Sequence, residues 1–323
     1  MLCRGRSLLN YGYRSERKLL KSLTLDITIS LERTEVYYNT MNEYVIADQF
    51  QSNNDIYFER SNEEIEPVFT SEEIESIVKK CPNGKSCGID GVSYEDLKDN
   101  WLREGHNIVK IFNTILVNQK FSTNGVELHS LVQRIPKKNF DVNDLTTLRD
   151  ISLLSVCYKV FSKAICNRML PYISDVISFW QRAFLNKRDS QDLIFTLKTE
   201  IDDFKHLSTK FYEMFSDFAD AFGSVKHDFI FQTLEKFSIP TYIGRITEDL
   251  YRDSCFEVIS CYLLSKRFYI TRGTKTGDPL SAFLFIMVID VVCKPMLSSA
   301  LISLNLHDET RLNTIPIQAG FRR

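Results

Sequence analysis

The stretch from position 215 to 222, Phe-Ser-Asp-Phe-Ala-Asp-Ala-Phe, decides the fold of this 323-residue chain. The apolar run that begins at Phe211 predicts a strand, which delivers Asp217 at its end before the backbone turns towards Phe222. Phosphoryl transfer uses hard oxygen ligands for Mg²⁺, so a carboxylate at a rigid strand end suits that chemistry. A solvated strand end or a helix cap would use the same residue, and both readings stay open from this stretch alone.

A second informative stretch runs from Arg272 to Ser281 and reads Arg-Gly-Thr-Lys-Thr-Gly-Asp-Pro-Leu-Ser. Asp278 and Pro279 are the residue types of a helix N-cap and a first helical position, so a helix is predicted to begin there. An ordinary strand-to-helix turn explains that pair. It does not explain why Gly273 and Lys275 are present. Glycines beside a lysine instead suit a loop whose backbone approaches a ligand closely.

Positive charge is concentrated between residues 131 and 189, which contain ten Lys and Arg but five Asp. The whole chain has a formal net charge of -2, so contact with a nucleic acid has to come from local charge. Each neutralised phosphate releases counterions, which suits such a segment to a nucleic-acid groove. The alternative is a solvated helix face, and we favour that interpretation for Lys163 and Arg168.

Composition limits the class of protein. A hydrophobic content of 44% excludes general disorder. Eight cysteines lack CxxC or zinc-site spacing, and no secretory signal opens the chain, so we expect an intracellular protein of the nucleus or cytoplasm that is not secreted. The apolar run Leu280–Val292 is interrupted by Asp290 and is too short to span a bilayer, so no membrane association is expected. Gly84-Lys85-Ser86 is not a P-loop, because position 79 is lysine.

The order of predicted elements indicates an α+β fold, mostly helical, with a small antiparallel sheet. Residues 1–65 form a poorly defined lead-in, and the main domain covers residues 66–323. Helices are predicted from Thr70, over 107–117, over 156–170, from Ser190, over 228–237 and from Pro279 to Leu297, and strands over 211–218, 256–261 and 267–271.

Taken in order, these stretches resemble the reverse transcriptase domain of non-LTR (LINE-type) retrotransposons, from about Thr70 to Gln318. The early loop and finger elements of that family are matched by Cys87–Gly91, Ile135–Lys138, Arg149–Leu153, Tyr158–Lys163 and Gln181–Phe184. Residues 215–222 match the family's motif A, and residues 273–282 match its motif B. The resemblance implies right-hand polymerase fingers and a partial palm.

The resemblance also implies roles for individual residues. Asp217 would be a catalytic metal ligand in a two-ion Mg²⁺ site, and Phe222 would be the aromatic gate that excludes ribonucleotides. Template or substrate would be held by finger residues Lys137 and Arg149 and by the motif B residues Gly273, Lys275, Gly277 and Asp278. The partners would be an RNA template, a DNA primer and dNTPs.

Three features depart most clearly from the family pattern. Gly223 stands where motif A usually has a second aspartate, and Thr276 replaces the usual motif B glutamine. The aromatic-Ala-Asp-Asp box, motif C, is expected after Gln318, but the sequence reads Ala-Gly-Phe-Arg-Arg to position 323. We therefore expect a domain without motif C and thumb that polymerises poorly or not at all. The alternatives are a catalytically dead remnant that binds nucleic acid, and a misfolding gene fragment.

Overall fold

A computed structural model describes residues 68–121, 128–141, 144–178, 180–185, 188–207, 220–252, 254–260 and 263–303, with side chains as far as residue 294. The proposed boundary near residue 65 and the predicted strand over 211–218, which includes Asp217, lie outside the described residues. The described residues combine many helices with one small sheet, which confirms the mostly helical α+β class.

The helices follow the sequence closely. They are α1 (Ser71–Lys80), α2 (Tyr94–Asp99), α3 (Trp101–Asn118), α4 (Val156–Ser174), α5 (Ser190–Leu207), α6 (His227–Lys236), α7 (Thr241–Arg252) and α8 (Pro279–Ser303), with a short 3₁₀ turn at Leu145–Thr147. The predicted helices all exist. Helix α5 starts where expected, but its first turn is capped by Asp189, whose carboxylate accepts from the Gln191 amide at 3.0 Å.

Two long helices form the centre of the core. Helix α4 buries side chains around most of its circumference, because α1 packs against one side and α8 against another. In α8, Asp290 is fully buried, and its carboxylate contacts Lys294 at 2.8 Å. Within the described residues, no helix is both long and apolar enough to cross a bilayer.

The sheet joins segments that are distant in sequence. Its strands are β1 (His129–Pro136), β2 (Leu148–Leu153), β3 (Cys255–Ser260), β4 (Leu263–Leu264) and β5 (Phe268–Tyr269). The order is β2-β1-β3-β4; β4 pairs with the last residues of β3, and β5 pairs with the first. Three pairings are antiparallel as expected, while β1 and β3 run parallel. Parallel strands need a long crossover, and here several helices supply it.

Arg168 ties α4 to the start of α1. The cap of α1 is Thr70, whose hydroxyl accepts from the Glu73 amide at 3.1 Å. The Glu73 carboxylate in turn accepts two hydrogen bonds from Arg168, at 3.2 and 3.0 Å. Arg168 also donates to the Val68 carbonyl at 2.7 Å and stacks over the Phe69 ring at 4.3 Å. The expectation of a solvated face was therefore wrong for Arg168, since α1 covers this side of α4; Lys163 is exposed.

Replacing Arg168 with Met is expected to lower the free energy of unfolding by about 2 kcal/mol, because Glu73 and the Val68 carbonyl lose a charged donor in a half-buried site. The matched control is Lys79→Met on α1. Lys79 contacts Glu75 at 2.8 Å, but its side chain is 70% exposed, so its removal should cost less than about 0.5 kcal/mol. Urea unfolding followed by circular dichroism measures both, and equal effects of the two changes would contradict the assignment.

Candidate active site at the motif A turn and motif B loop

The motif A turn enters the described structure at Asp220. This residue has a positive φ of 47°, and its carbonyl accepts from the Ser224 amide at 3.0 Å, which closes the turn. The Asp220 residue is exposed. Asp217 lies outside the described residues, so its role as a metal ligand stays a prediction. Within the described residues, no group of three His, Cys, Asp or Glu side chains could hold a metal ion.

The turn meets the motif B loop through backbone atoms. The Gly273 amide donates to the Val225 carbonyl at 2.6 Å, and the Thr274 amide donates to the Phe222 carbonyl at 2.7 Å. Gly273 has a φ of +80°, and a Cβ added to it would lie 2.7 Å from the Cα and carbonyl oxygen of Gly223. Only a residue without a side chain allows this approach. Gly223 is less confined, because the atoms that a Cβ would meet there belong to the exposed Asp220 side chain, which can move.

His227 supports the same loop, since its Nε2 lies 3.0 Å from the Gly273 carbonyl oxygen. Burial lowers the pKa of His227, which favours the neutral ring. His227 therefore has a structural role beside the motif B loop.

The ring of Phe222 contacts two other aromatic rings. Its centroid is 4.6 Å from that of the buried Phe285 and 6.5 Å from that of Phe184. Phe222 packs against a small apolar cluster that contains Phe285, Trp180 and Ile289. The ring thus packs against side chains of α8, while the Phe222 carbonyl is bonded to the motif B loop, and its role as a sugar gate stays a prediction.

The side chain of Lys275 lies in the interior, beneath the loop. The residue is 2% exposed, and its ammonium donates to the Leu250 carbonyl at 2.8 Å. The ammonium also lies over the Tyr158 and Tyr251 rings, 4.8 and 5.4 Å from their centroids. The Lys275 ammonium therefore binds groups of the protein itself, on the interior side of the motif B loop.

Asp278 shares this interior. Its carboxylate accepts from the Tyr158 hydroxyl at 2.9 Å, from the Ser162 hydroxyl, and from the Leu280 amide at 3.0 Å. The bond from Leu280 confirms Asp278 as the N-cap of α8, and Pro279 follows as the first helical residue. Sequence reasoning placed Tyr158 and Ser162 in a family motif without assigning them a partner, and nothing in the sequence singled out Tyr251.

Burial shifts the pKa values of Lys275 and Asp278 in the directions that favour their neutral forms. Loss of water lowers the pKa of Lys275 to about 8, against the attraction of Asp278. The same loss raises the pKa of Asp278, while the Ser162 hydroxyl and Lys275 oppose that rise. The Tyr158 hydroxyl joins the two groups, because it donates to Asp278 and lies 3.5 Å from the Lys275 ammonium.

The tip of the motif B loop touches the β1–β2 hairpin. Gly277 has a φ of +88°, and a Cβ added to it would lie 3.1 Å from the Ser152 carbonyl oxygen. The Thr276 hydroxyl lies 3.1 Å from the Ser152 hydroxyl. Since Ser152 belongs to β2, the loop sits against the strand that also carries Arg149.

Lys137 and Arg149 lie together on the hairpin rather than in the loop. The β1–β2 register places Arg149 opposite Ile135, two residues before Lys137, so both cations belong to one face of the hairpin. Both are exposed. The Lys137 ammonium donates to the Thr146 carbonyl at 2.6 Å, which holds it close to the hairpin end. The structure therefore brings the predicted residues together in two groups, one exposed on the hairpin and one around the loop.

Replacing Gly273 with Ala is expected to lower the free energy of unfolding by about 3 kcal/mol, because the new Cβ adds backbone overlap to a left-handed conformation. Gly84→Ala is the matched control. Gly84 also has a positive φ, of 71°, but a Cβ there meets nothing within 4 Å, so about 1 kcal/mol is expected. Urea unfolding of the two variants compares them. A destabilisation at Gly273 no larger than that at Gly84 would show that the contact with Gly223 is not tight.

The lowered pKa of Lys275 predicts a pH dependence. Between pH 8 and about 10.5 the folded chain has released this proton while the unfolded chain still holds it, so stability from this group rises with pH in that window. Relative to Lys275→Met, the wild-type chain should gain free energy of unfolding, on the order of 3 kcal/mol, from pH 8 to 10.5. Lys79→Met serves as the control and should change in parallel with the wild type. A constant difference between the wild type and Lys275→Met would refute the shift.

Comparison with known proteins agrees with this geometry. The sequence profile of the family described as "Reverse transcriptase (RNA-dependent DNA polymerase)" matches residues 135–309. The "Transposon TX1 uncharacterized 149 kDa protein" of Xenopus laevis is 25% identical over 236 residues, which are 72% of this chain and 18% of that protein. The "Retrovirus-related Pol polyprotein from type-1 retrotransposable element R2" of Nasonia vitripennis is 25% identical over 194 residues, 60% of this chain and 18% of that protein.

This chain thus spans about a fifth of the length of these two relatives. The matched family binds a nucleic-acid template and primer and requires a divalent metal ion. The profile covers the hairpin, the motif A turn and the motif B loop, and it extends over more than half of the chain. The resemblance drawn from the motifs is confirmed: the chain belongs to the reverse transcriptase family, as a domain of the non-LTR retrotransposon type.

Proposed function

We propose that this domain takes part in RNA-directed DNA synthesis, with an RNA template, a DNA primer and dNTPs as partners and Mg²⁺ as the metal ion. The observation that carries the proposal is the backbone contact between Gly223 and Gly273. It joins the two motifs of a polymerase site and holds Phe222 beside the motif B loop. An ordinary strand-to-helix turn would not need that contact.

The hairpin face supports a role in holding nucleic acid. Lys137 and Arg149 are exposed there beside Ile135 and Ile151, which are 38% and 39% exposed. Exposed cations neutralise phosphates, and exposed aliphatic side chains on the same face offer surface to sugars or bases. The loop tip touches β2 through Ser152, whose side chain lies on the opposite face of the strand from Arg149 and Ile151.

The chemistry divides between the metal and the chain. When bound, Mg²⁺ would supply positive charge to the transferring phosphoryl group, and Asp217 is the residue that would hold it. The hairpin would bind and orient the template strand. The loop would position the incoming nucleotide, and Phe222 would exclude a sugar with a 2′-hydroxyl. We also propose an intracellular location, which agrees with the free cysteines among the described residues.

A second candidate function is nucleic-acid binding without polymerisation. It is favoured by Gly223, which replaces an acidic residue of motif A, while the basic hairpin face is intact. We therefore propose that the domain binds a primer–template and extends it weakly.

Primer extension on an RNA template, with a DNA primer, dNTPs and Mg²⁺, tests the function. Slow extension that disappears in Asp217→Asn is expected if the domain polymerises, since that change keeps the shape of the side chain and removes its charge. Binding without extension would favour the second candidate. Extension that survives Asp217→Asn would contradict the proposed site.

A gel-shift titration with the same primer–template tests the binding surface. The double variant Lys137→Glu, Arg149→Glu should bind at least tenfold more weakly and show a shallower dependence on salt, by about one unit of slope for each phosphate that is no longer neutralised. Lys110→Glu, an exposed change on α3, is the matched control and should leave affinity near that of the wild type. Equal binding by both variants would exclude the hairpin face as the nucleic-acid surface.

A further inference from the structure

Phe184 has a backbone conformation that its own burial does not explain. Its φ is +60°, in the left-handed region that a bulky aromatic residue rarely adopts. The residue is nevertheless 48% exposed, so it gains little from the core. Strain of this kind persists only where the surrounding structure enforces it, and it concentrates at functional sites.

The loop that carries Phe184 is held from several sides. Asp290, buried in α8, accepts from the Ser178 amide at 3.0 Å. Arg188 donates to the carbonyls of Ser178 and Gln181, both at 2.9 Å. The side chain of Gln181 is itself buried and accepts from the Ala183 amide at 3.2 Å. These charged and polar contacts fix the chain immediately before Phe184 and can hold its unfavourable conformation.

The held conformation directs Phe184 at Phe222. The two rings meet edge to face, with an interplanar angle of 75° and 6.5 Å between centroids. Phe222 is also 4.6 Å from Phe285, whose side chain is buried. Phe222 therefore contacts one buried ring and one half-exposed ring, while its carbonyl is bonded to Thr274 of the motif B loop.

We propose that Phe184 is a positioning residue that sets the selectivity of this site for the sugar of the incoming nucleotide. It acts through Phe222, whose ring it keeps from tilting away from Phe285 into the solvent. Removal of Phe184 opens that space, so Phe222 can swing aside and a 2′-hydroxyl is admitted. The inference rests on the proposed function, in which Phe222 is the sugar gate.

Nucleotide selectivity is the first measurement. The 323-residue chain is bound to an RNA template and DNA primer with a templating adenine, and the dissociation constants of dUTP and UTP, which differ only in the 2′-hydroxyl, are compared. Phe184→Ala should reduce the preference for dUTP by about two- to tenfold, the range that an aromatic pair contributes. Phe184→Tyr, which keeps the ring, should restore it. Phe195→Ala is the control, since Phe195 is 72% exposed on α5.

The position of the Phe222 ring is the second measurement and needs no nucleotide. With 4-fluorophenylalanine at position 222, the ¹⁹F resonance should shift or broaden in Phe184→Ala and remain unchanged in Phe195→Ala. Phe184→Gly adds a stability readout. It removes the ring and also relieves the positive φ, so the free energy of unfolding should change little while selectivity falls. A purely structural residue would instead lower stability and leave selectivity unchanged.

The two measurements separate the possible failures. Wild-type selectivity that is retained in Phe184→Ala, or a ¹⁹F resonance that does not respond to it, overturns the inference and leaves the proposed function standing. A wild-type chain that binds neither nucleotide contradicts the proposed function, and the selectivity role falls with it. Reduced selectivity together with a changed ¹⁹F resonance, absent from the Phe195→Ala control, supports the role of Phe184.

Discussion

The buried carboxylate of Asp278 is the interaction on which the site depends. A carboxylate taken out of water is tolerated only when hydrogen bonds replace its hydration, and here Tyr158 and Ser162 of α4 and the first turn of α8 provide them. The same group faces the buried ammonium of Lys275 across the Tyr158 hydroxyl. One capping residue thereby joins α4, the motif B loop and the start of α8, so the loop cannot shift without breaking a buried polar network.

The geometry of the active site follows from this anchor. Because buried groups fix the motif B loop on its interior side, Gly273 is held against Gly223. The motif A turn is bonded to the same loop, since the Phe222 carbonyl accepts from the Thr274 amide. Position 273 has to be glycine because a Cβ there would overlap the backbone of Gly223. The aromatic ring of Phe222 contacts both the buried Phe285 and Phe184 of a strained loop.

The Lys and Arg residues between positions 131 and 189 have two different roles, which a count of charges does not distinguish. Arg168 and Arg188 bind protein groups, the first joining α1 to α4 and the second holding the loop before Phe184. Lys137 and Arg149 face solvent on the hairpin. Net charge along a segment is the same in both cases. The surroundings of each side chain decide whether it is covered by the fold or exposed on its surface.

The sequence by itself determined the helices, the cap of α8, the family and the order of the motifs, because caps and apolar periodicity are local properties that neighbouring residues encode. It predicted which residues belong to motifs A and B, but not how they pack. The parallel pairing of β1 with β3, the burial of Lys275 and the contact between Phe184 and Phe222 were decided by the tertiary structure. Each joins segments far apart in the chain, and the burial of a side chain depends on which elements meet around it rather than on its neighbours in sequence.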